Sequence, residues 1–183
     1  MTPPLILVLG GVRSGKSAYA AERATQLAGA GAVRFIATAR AEPSMQDRIK
    51  RHRAERPSGW VTVEKPLALA EAISAPGDES VVLVDCLTLW LGNILVECGD
   101  PESPGFARRA ETAVEMRRKP LLTTLENRDR PLVLVANEVG LGVTPPTRLG
   151  NVFADVQGET NRLVAVLSDE ALFLVAGNPL RVK

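Results

Sequence analysis

Residues 5–17 read LILVLGGVRSGKS and join a short apolar run to a glycine-rich loop and the start of a helix. Gly10 to Ser17 match the pattern G-x-x-x-x-G-K-[ST] at every specified position. In this pattern the loop N–H groups and the lysine face phosphates, and the serine hydroxyl can bind Mg²⁺. The helix N-terminus adds partial positive charge. We therefore predict a nucleoside triphosphate site formed by Gly10, Gly11, Val12, Arg13, Ser14, Gly15, Lys16 and Ser17, with Ser17 as a metal ligand.

Five short, nearly continuous apolar runs recur along the chain, and such runs are typical of strands buried on both faces of a parallel sheet. They occupy residues 5–9, 33–37, 81–85, 132–136 and 171–176. Between them we predict helices at Ser17–Ala28, Ser44–Glu55, Leu67–Ile73, Leu87–Glu97, Phe106–Asn127 and Asn151–Leu167. This alternation predicts an α/β fold with a mostly parallel central sheet and helices on both faces.

Breaks in the pattern predict two loops and one disturbed helix. Glycine and proline punctuate residues 98–105 and 137–150, which we interpret as surface loops. Pro120 falls inside the predicted helix Phe106–Asn127. Because proline lacks an N–H group and crowds the preceding turn, we expect it to kink or split that helix.

Composition narrows the class of protein. The 183 residues, 45% of them hydrophobic, suit a single domain spanning 1–183. A net charge of +1 gives no sign of a nucleic acid partner, and no apolar run is long enough to span a membrane. No signal peptide is apparent, so we expect a soluble cytoplasmic protein. Cys86 and Cys98 are predicted to be reduced thiols without a chemical role.

Acidic side chains end two of the predicted strands. Asp85 ends VVLVD, where it could hold Mg²⁺ directly or through water, or simply cap the following helix. Asn137 and Glu138 end LVLVANE in the same topological position, and they too could be functional or structural. The carboxyl ends of parallel strands share one edge of a sheet, so we expect these residues to face one cleft.

His52, the only histidine, lies in RIKRHRAERP at residues 48–57. Taken alone, this segment is typical of a solvated basic helix face. Beside a triphosphate site it gains a second interpretation, in which the arginines neutralise phosphates and the imidazole attacks one of them. Neutral histidine is a competent nucleophile near pH 7, and neighbouring cations favour its uncharged form.

Five segments together resemble the bifunctional adenosylcobinamide kinase/adenosylcobinamide-phosphate guanylyltransferase family of cobalamin biosynthesis. They are GGVRSGKS, FIATA at 35–39, RIKRHRAERPSGWVTVE at 48–64, VDCLT at 84–88 and NEVGLGVTPP at 137–146. The resemblance implies a RecA-like P-loop NTPase fold and a homotrimer. It also implies that His52 is the residue that becomes guanylylated. The nucleotide-binding residues it implies are those of the glycine-rich loop together with Ala37, Thr38, Ala39, Arg53, Ala54, Glu55, Arg56, Glu64 and Asp85.

The same resemblance implies two reactions. First the aminopropanol hydroxyl of adenosylcobinamide is phosphorylated with ATP or GTP. Then His52 attacks the α-phosphorus of GTP, pyrophosphate leaves, and adenosylcobinamide phosphate takes the guanylyl group to give adenosylcobinamide-GDP. Mg²⁺ at Ser17 and Asp85 is expected to help orient the phosphates.

Two other interpretations of the nucleotide site remain open from the residues alone. One is a P-loop small-molecule kinase in which the basic segment only clamps phosphates and no covalent intermediate forms. The other is a nonenzymatic nucleotide switch, although the chain lacks the N-K-x-D motif of such GTPases. Preference for guanine therefore rests on the resemblance. Corrinoid binding has no derivable motif: Trp60, Trp90 and Phe106 could wall a large ring, but each is more readily explained as core.

Overall fold

The computed structural model describes residues 2–40, 57 and 59–183. Five helices and seven strands lie in these ranges. The helices are α1 (Lys16–Ala28), α2 (Leu69–Ser74), α3 (Leu87–Glu97), α4 (Phe106–Glu126) and α5 (Arg148–Leu167). The strands are β1 (Leu5–Gly10), β2 (Val33–Ala37), β3 (Val61–Glu64), β4 (Val81–Asp85), β5 (Leu132–Asn137), β6 (Glu170–Val175) and β7 (Asn178–Arg181). The predicted helix Ser44–Glu55 lies outside the described residues.

All seven strands form one sheet in the order β3-β2-β4-β5-β1-β6-β7. Every neighbouring pair is parallel except β6 and β7, which form an antiparallel hairpin. The five predicted strands are present close to their predicted bounds, and the mostly parallel sheet is confirmed. Strand β5 lies between β1, which leads into the glycine-rich loop, and β4, which ends at Asp85.

Successive strand residues point to opposite faces of the sheet, and helices bury the side chains on each face. Leu5 and Leu7 of β1 join a large core cluster with residues of α2, α3, α4 and α5. Ile6 and Val8 join a second cluster with Ala20 and Ala24 of α1. Helices therefore cover both faces, as predicted, and this burial explains why the central strands consist almost wholly of apolar residues.

The sequence missed two strands, and both lie at edges of the sheet. β3 reads VTVE and has no buried residue, and β7 reads NPLR and is exposed throughout. Edge strands bury less side-chain surface than central ones, so their sequences need not form an apolar run. A search for apolar runs therefore does not detect β3 and β7.

Helix α4 continues through Pro120 from Phe106 to Glu126, so the proline does not split it, and a kink there stays a prediction. Buried residues on both sides of the proline, including Val114, Leu121 and Leu125, anchor the helix to the core. This packing outweighs the loss of one backbone hydrogen bond. No helix within the described ranges is long and apolar enough to cross a membrane.

Helix α5 begins earlier than predicted, at Arg148 rather than Asn151. The side chain of Thr147 accepts a hydrogen bond from Gly150 N at 3.1 Å and caps the helix. A threonine at this position satisfies an N–H group that the first turn leaves unpaired. The loop that follows β5 is correspondingly shorter than predicted.

Arg34 of β2 is a buried cation that joins the sheet to the segment before β4. Its guanidinium donates to Ala75 O at 2.5 Å, to Pro76 O at 2.9 Å and to Glu79 Oε2 at 2.7 Å. Burial raises the pKa of Glu79, but the hydrogen bond and charge of Arg34, with the charge of Arg130, outweigh this and hold it below its ordinary 4.5. Arg34 thus satisfies several buried acceptors at once.

We expect Arg34→Met to lower the free energy of unfolding by about 3 kcal/mol, because it leaves buried acceptors and a carboxylate without their donor. Arg117→Met is the matched control. Its guanidinium also lies 2.9 Å from a carboxylate, that of Glu97, but both side chains are about a third exposed. The control should cost less than about 1 kcal/mol. Urea unfolding of both variants measures the difference.

The contribution of the Glu79–Arg34 ion pair to the free energy of unfolding should also depend on pH. Its pKa is lowered in the folded chain, so the stabilisation is complete above the ordinary pKa of 4.5 and is lost as the pH falls through the folded value. The difference in the free energy of unfolding between wild type and Arg34→Met should therefore become smaller as the pH falls below 4.5. If Arg34→Met and Arg117→Met lost equal free energy of unfolding at neutral pH, the special role of Arg34 would be contradicted.

Candidate nucleotide-binding site

Parallel register brings the predicted nucleotide residues to the carboxyl edge of the sheet. Ala37 of β2 pairs with Glu64 of β3 on one side and with Asp85 of β4 on the other. Asp85 in turn pairs with Val135 of β5, and Asn137 of β5 pairs with Gly10 of β1. Residues far apart in the sequence are therefore aligned across five adjacent strand ends.

Thr38 fastens the end of β2 to the segment that follows β4. Its hydroxyl donates to Cys86 O at 2.7 Å and accepts from Cys86 N at 2.9 Å. Asn93 of α3 donates to Thr38 O at 2.7 Å and to Pro66 O at 3.0 Å. Because Thr38 is fully buried, these bonds fix the backbone of Cys86, the residue directly after Asp85.

Two further bonds complete the edge. Asn137 N donates to Thr88 Oγ1 at 2.7 Å, which joins the end of β5 to the first turn of α3. Glu138 N donates to Gly10 O at 3.2 Å, which joins β5 to the first residue of the glycine-rich loop. Asp85, Asn137 and Glu138 therefore lie at the same edge of the sheet, and that they face one cleft stays a prediction.

The glycine-rich loop curls directly into α1. Gly15 is the residue before the helix and has φ 91°, and Arg13 has φ 59°. Lys16 is buried, and its ammonium donates to Gly11 O at 3.0 Å. Val12 and Arg13 lie exposed on the outer side of the loop. The helix N-terminus and the Lys16 ammonium thus place positive charge at the loop.

The turn of the C-terminal hairpin braces this loop. Ala176 and Gly177 join β6 to β7 with φ 50° and 82°. Gly177 N donates to Ser14 O at 2.9 Å, and a Cβ added to Gly15 would lie 3.3 Å from Gly177 Cα. A turn with both residues at positive φ matches the twist of a two-residue hairpin. The last strands of the chain therefore support the first loop.

The loop has the features of a phosphate cradle. A Cβ on Gly10 would lie 2.9 Å from Leu174 O and 2.5 Å from Ser14 Oγ, so only glycine fits there. Ser14 Oγ is buried and has no hydrogen-bond partner among the described residues. These residues fit a bound phosphate group, and Ser17 and Asp85 are the ones that could hold Mg²⁺ beside it.

Cys86 follows Asp85 but is not a nucleophile. Burial, and then the negative charge of Asp85, raise the pKa of its thiol to about 11. The positive charge of Lys16 acts on the same thiol in the opposite direction but does not outweigh burial. Both cysteines are free thiols, in agreement with the prediction. Cys86 is therefore a neutral packing residue.

The remaining predicted residues are the basic segment around His52 and the aromatic candidates. His52, Arg53, Ala54, Glu55 and Arg56 lie outside the described residues. Of the aromatic candidates, Trp90 and Phe106 are core residues with at most 1% exposure. Trp60 stacks on Phe35 with ring centroids 6.1 Å apart, and it packs against the α1 side of the core.

Sequence reasoning missed a set of polar residues that support the site. Thr88 and Asn93 on α3 and Asn161 on α5 bond to the strand-end backbone. Asn161 had a detectable signal, because Gln157, Thr160 and Asn161 interrupt the stripe formed by Val152, Val156 and Val164. Polar residues on the buried face of a helix require internal partners. Thr88 and Asn93 carried no comparable signal.

We expect Gly15→Ala to weaken nucleotide binding by at least about tenfold, a loss of about 1.4 kcal/mol. The added methyl meets the backbone of Gly177 and strains a residue at φ 91°. Gly99→Ala is the matched control, since Gly99 has φ 82° and open space around it. Both variants should lose about 1 kcal/mol of stability, but only Gly15→Ala should bind nucleotide poorly by calorimetry. Equal nucleotide affinities in Gly15→Ala and Gly99→Ala would contradict the interpretation that the contact with Gly177 supports a phosphate-binding loop.

Comparison with solved structures supports the fold. One solved ATPase domain superposes with a TM-score of 0.51 at 12% identity, covering 93% of this chain and 68% of that one. The flagellar accessory protein FlaH from Methanocaldococcus jannaschii superposes with a TM-score of 0.50 at 9% identity, covering 100% and 79%. The chain has the P-loop NTPase fold of the RecA-like type.

Sequence relatives are much closer. Bifunctional adenosylcobalamin biosynthesis protein CobP from Pseudomonas aeruginosa is 41% identical over 179 residues, which cover 97% of this chain and 96% of the relative. The CobU protein of the same description from Escherichia coli is 34% identical over 184 residues, covering 98% and 99%. The profile of the CobU family matches residues 6–182. The chain therefore belongs to the cobinamide kinase/cobinamide phosphate guanyltransferase family.

Proposed function

We propose that this chain is a bifunctional enzyme of cobalamin biosynthesis. It phosphorylates adenosylcobinamide with ATP or GTP and then transfers GMP from GTP to adenosylcobinamide phosphate, giving adenosylcobinamide-GDP. Membership of the family supports both activities. The structural observation that carries the proposal is the phosphate cradle, which lies on the same sheet edge as Asp85 and Glu64.

In this proposal the cradle holds the triphosphate. Gly10, Gly11, Val12, Arg13, Ser14 and Gly15 present backbone N–H groups, and the buried Lys16 turns its ammonium from Gly11 O to the phosphates. Ala37, Ala39 and Glu64, at the ends of β2 and β3, contact the nucleotide beside the cradle, and the fully buried Thr38 positions this edge from behind. The preformed edge would orient the phosphates without a large cost in ordering.

The guanylyl transfer uses His52 as its nucleophile. A lone pair on the imidazole attacks the α-phosphorus of GTP, the bond to the bridging oxygen breaks, and pyrophosphate leaves with that electron pair. Arg53 and Arg56 stabilise the negative charge that develops, and Ala54 and Glu55 complete the nucleotide contacts of this segment. A phosphate oxygen of adenosylcobinamide phosphate then displaces the histidine. Two steps replace one transfer between two bulky anions.

Ser17 and Asp85 are proposed as Mg²⁺ ligands. Ser17 lies in the first turn of α1, and Asp85 is the last residue of β4, held between two buried neighbours. The metal would supply positive charge against the phosphates. Asp85 and the Ser17 hydroxyl offer the oxygen ligands that Mg²⁺ prefers.

Three broader expectations remain predictions. We propose that residues 1–183 act as a single P-loop catalytic domain, that the enzyme assembles as a homotrimer, and that it works in the cytoplasm. The trimer rests on resemblance to the family, and the location rests on the sequence.

We expect wild-type protein incubated with Mg²⁺ and GTP labelled at the α-phosphate to retain label after denaturation, in an acid-labile and base-stable form. This stability is typical of a phosphoramidate. His52→Ala should carry no label, because the chain has no other histidine. GTP labelled at the γ-phosphate is the control and should label neither protein, since pyrophosphate leaves.

Nucleotide binding by both proteins must be measured in parallel. His52→Ala should bind GTP and retain the kinase reaction. Absence of label on wild-type protein that binds GTP would contradict the guanylyl-histidine and favour the alternative, a P-loop small-molecule kinase without a covalent intermediate.

We expect Asp85→Asn to raise the Mg²⁺ concentration needed for half-maximal nucleotide binding and turnover by at least about tenfold, because a charged oxygen ligand is lost. Asp78→Asn is the control, since Asp78 is exposed near the opposite end of the same strand. Magnesium titrations followed by calorimetry and by turnover provide the measurement. Unchanged Mg²⁺ dependence in Asp85→Asn would make this acid structural.

A further inference from the structure

Glu138 is an acidic residue at the nucleotide edge to which the proposed reactions give no role. It directly follows β5, the strand between the glycine-rich loop strand and the Asp85 strand. Its backbone N–H donates to Gly10 O at 3.2 Å. The residue is therefore bonded to the first residue of the phosphate cradle.

The Glu138 carboxylate is held by neutral donors. Its Oε1 accepts from Gly140 N at 2.8 Å, and its Oε2 accepts from Asn161 Nδ2 at 3.4 Å. Among the described residues it forms no salt bridge. Each carboxylate oxygen has two lone pairs, so one hydrogen bond leaves capacity for another donor. A half-buried carboxylate with spare acceptor capacity can receive a proton.

Asn161 fixes this geometry from inside the molecule. It is 3% exposed on α5, and its Nδ2 also donates to Asn137 O at 3.0 Å. Its Oδ1 accepts from Gln157 Nε2 at 2.8 Å, which sets the direction of the amide. Burial of two polar side chains on a helix face is costly unless they bond internally. Here they use that bonding to position the end of β5 and Glu138.

Only one of the three proposed nucleophiles needs a base. The His52 imidazole attacks with a free lone pair, and the phosphate of adenosylcobinamide phosphate is already an anion. The aminopropanol hydroxyl of adenosylcobinamide carries a proton that must leave as its oxygen bonds to phosphorus. A positioned carboxylate typically accelerates such a step by a factor of roughly 10² to 10⁴.

We propose that Glu138 is the general base of the kinase half-reaction, with Asn161 as its positioning residue. This inference rests on the proposed function. As the hydroxyl oxygen bonds to the γ-phosphorus, its proton moves to the Glu138 carboxylate. The bond from the γ-phosphorus to the bridging oxygen breaks, and the nucleoside diphosphate leaves. The proton is later released to water.

The test compares the two half-reactions in one protein. In Glu138→Gln the kinase kcat should fall about 10²-fold or more, with its KM changed less than about threefold. Labelling of His52 by α-labelled GTP should stay within about twofold of wild type. Glu126→Gln, at the exposed end of α4, is the control and should change neither reaction.

Two more variants separate base chemistry from structure. Glu138→Asp keeps a carboxylate and should retain more kinase turnover than Glu138→Gln at an equal labelling rate. Asn161→Ala should lower kinase kcat through Glu138, and its effect should largely vanish when combined with Glu138→Gln. If Glu138→Gln does not fold, Glu138→Asp and Asn161→Ala provide the test, through the same comparison of kinase kcat with labelling of His52.

The outcomes are distinguishable. A kinase kcat unchanged in Glu138→Gln, or kinase and labelling that fall together, would overturn the role of Glu138 while the proposed function stands. Wild-type protein without kinase turnover would overturn the proposed function and this inference with it. A selective loss of kinase kcat supports both.

Discussion

The register of the parallel sheet at its carboxyl edge fixes the positions of the candidate site residues. Each strand ends beside its neighbour in fixed register, so Glu64, Ala37 and Asp85 are aligned before any loop contributes. Buried side-chain bonds then fasten the ends together, chiefly those of Thr38 to Cys86 and of Thr88 to Asn137 N. A charged ligand such as a triphosphate needs donors that are already ordered, and this edge supplies them.

The two hydrophobic cores serve the same edge from opposite sides. Helix α1 packs on one face through Ala20 and Ala24, which fixes the helix whose N-terminus meets the cradle. The helices on the other face bring polar residues to the strand ends, as Asn93 does from α3 and Asn161 from α5. The β6–β7 hairpin adds a third support at Ser14 and Gly15. Packing and polar support are therefore provided by the same elements.

The two proposed chemistries share one cradle, and their nucleophiles differ in what they require. In the proposal, His52 and the cobinamide phosphate oxygen attack without losing a proton, whereas the cobinamide hydroxyl must lose one. The backbone N–H of Glu138 bonds to Gly10 O and so holds this residue beside the cradle, where the proposal gives its carboxylate the role of base. The basic segment around His52 then contributes a nucleophile for the α-phosphorus. The two half-reactions would share phosphate binding and differ in one side chain each.

The glycine-rich loop, the five central strands and the order of the described helices could be predicted from sequence, because each leaves a local signal. Gly10 to Ser17 specify a loop by residue type, and the central strands need apolar residues on both faces. The sequence did not reveal β3 and β7, whose exposed residues give no apolar run, or the continuity of α4 through Pro120, which depends on core packing. The polar residues that support the site became evident only from the packed fold. Thr88, Asn93 and Gly177 act through contacts with residues distant in the chain, and such contacts depend on register and packing rather than on local pattern. Asn161 interrupts an apolar stripe, but its partners too were set by packing.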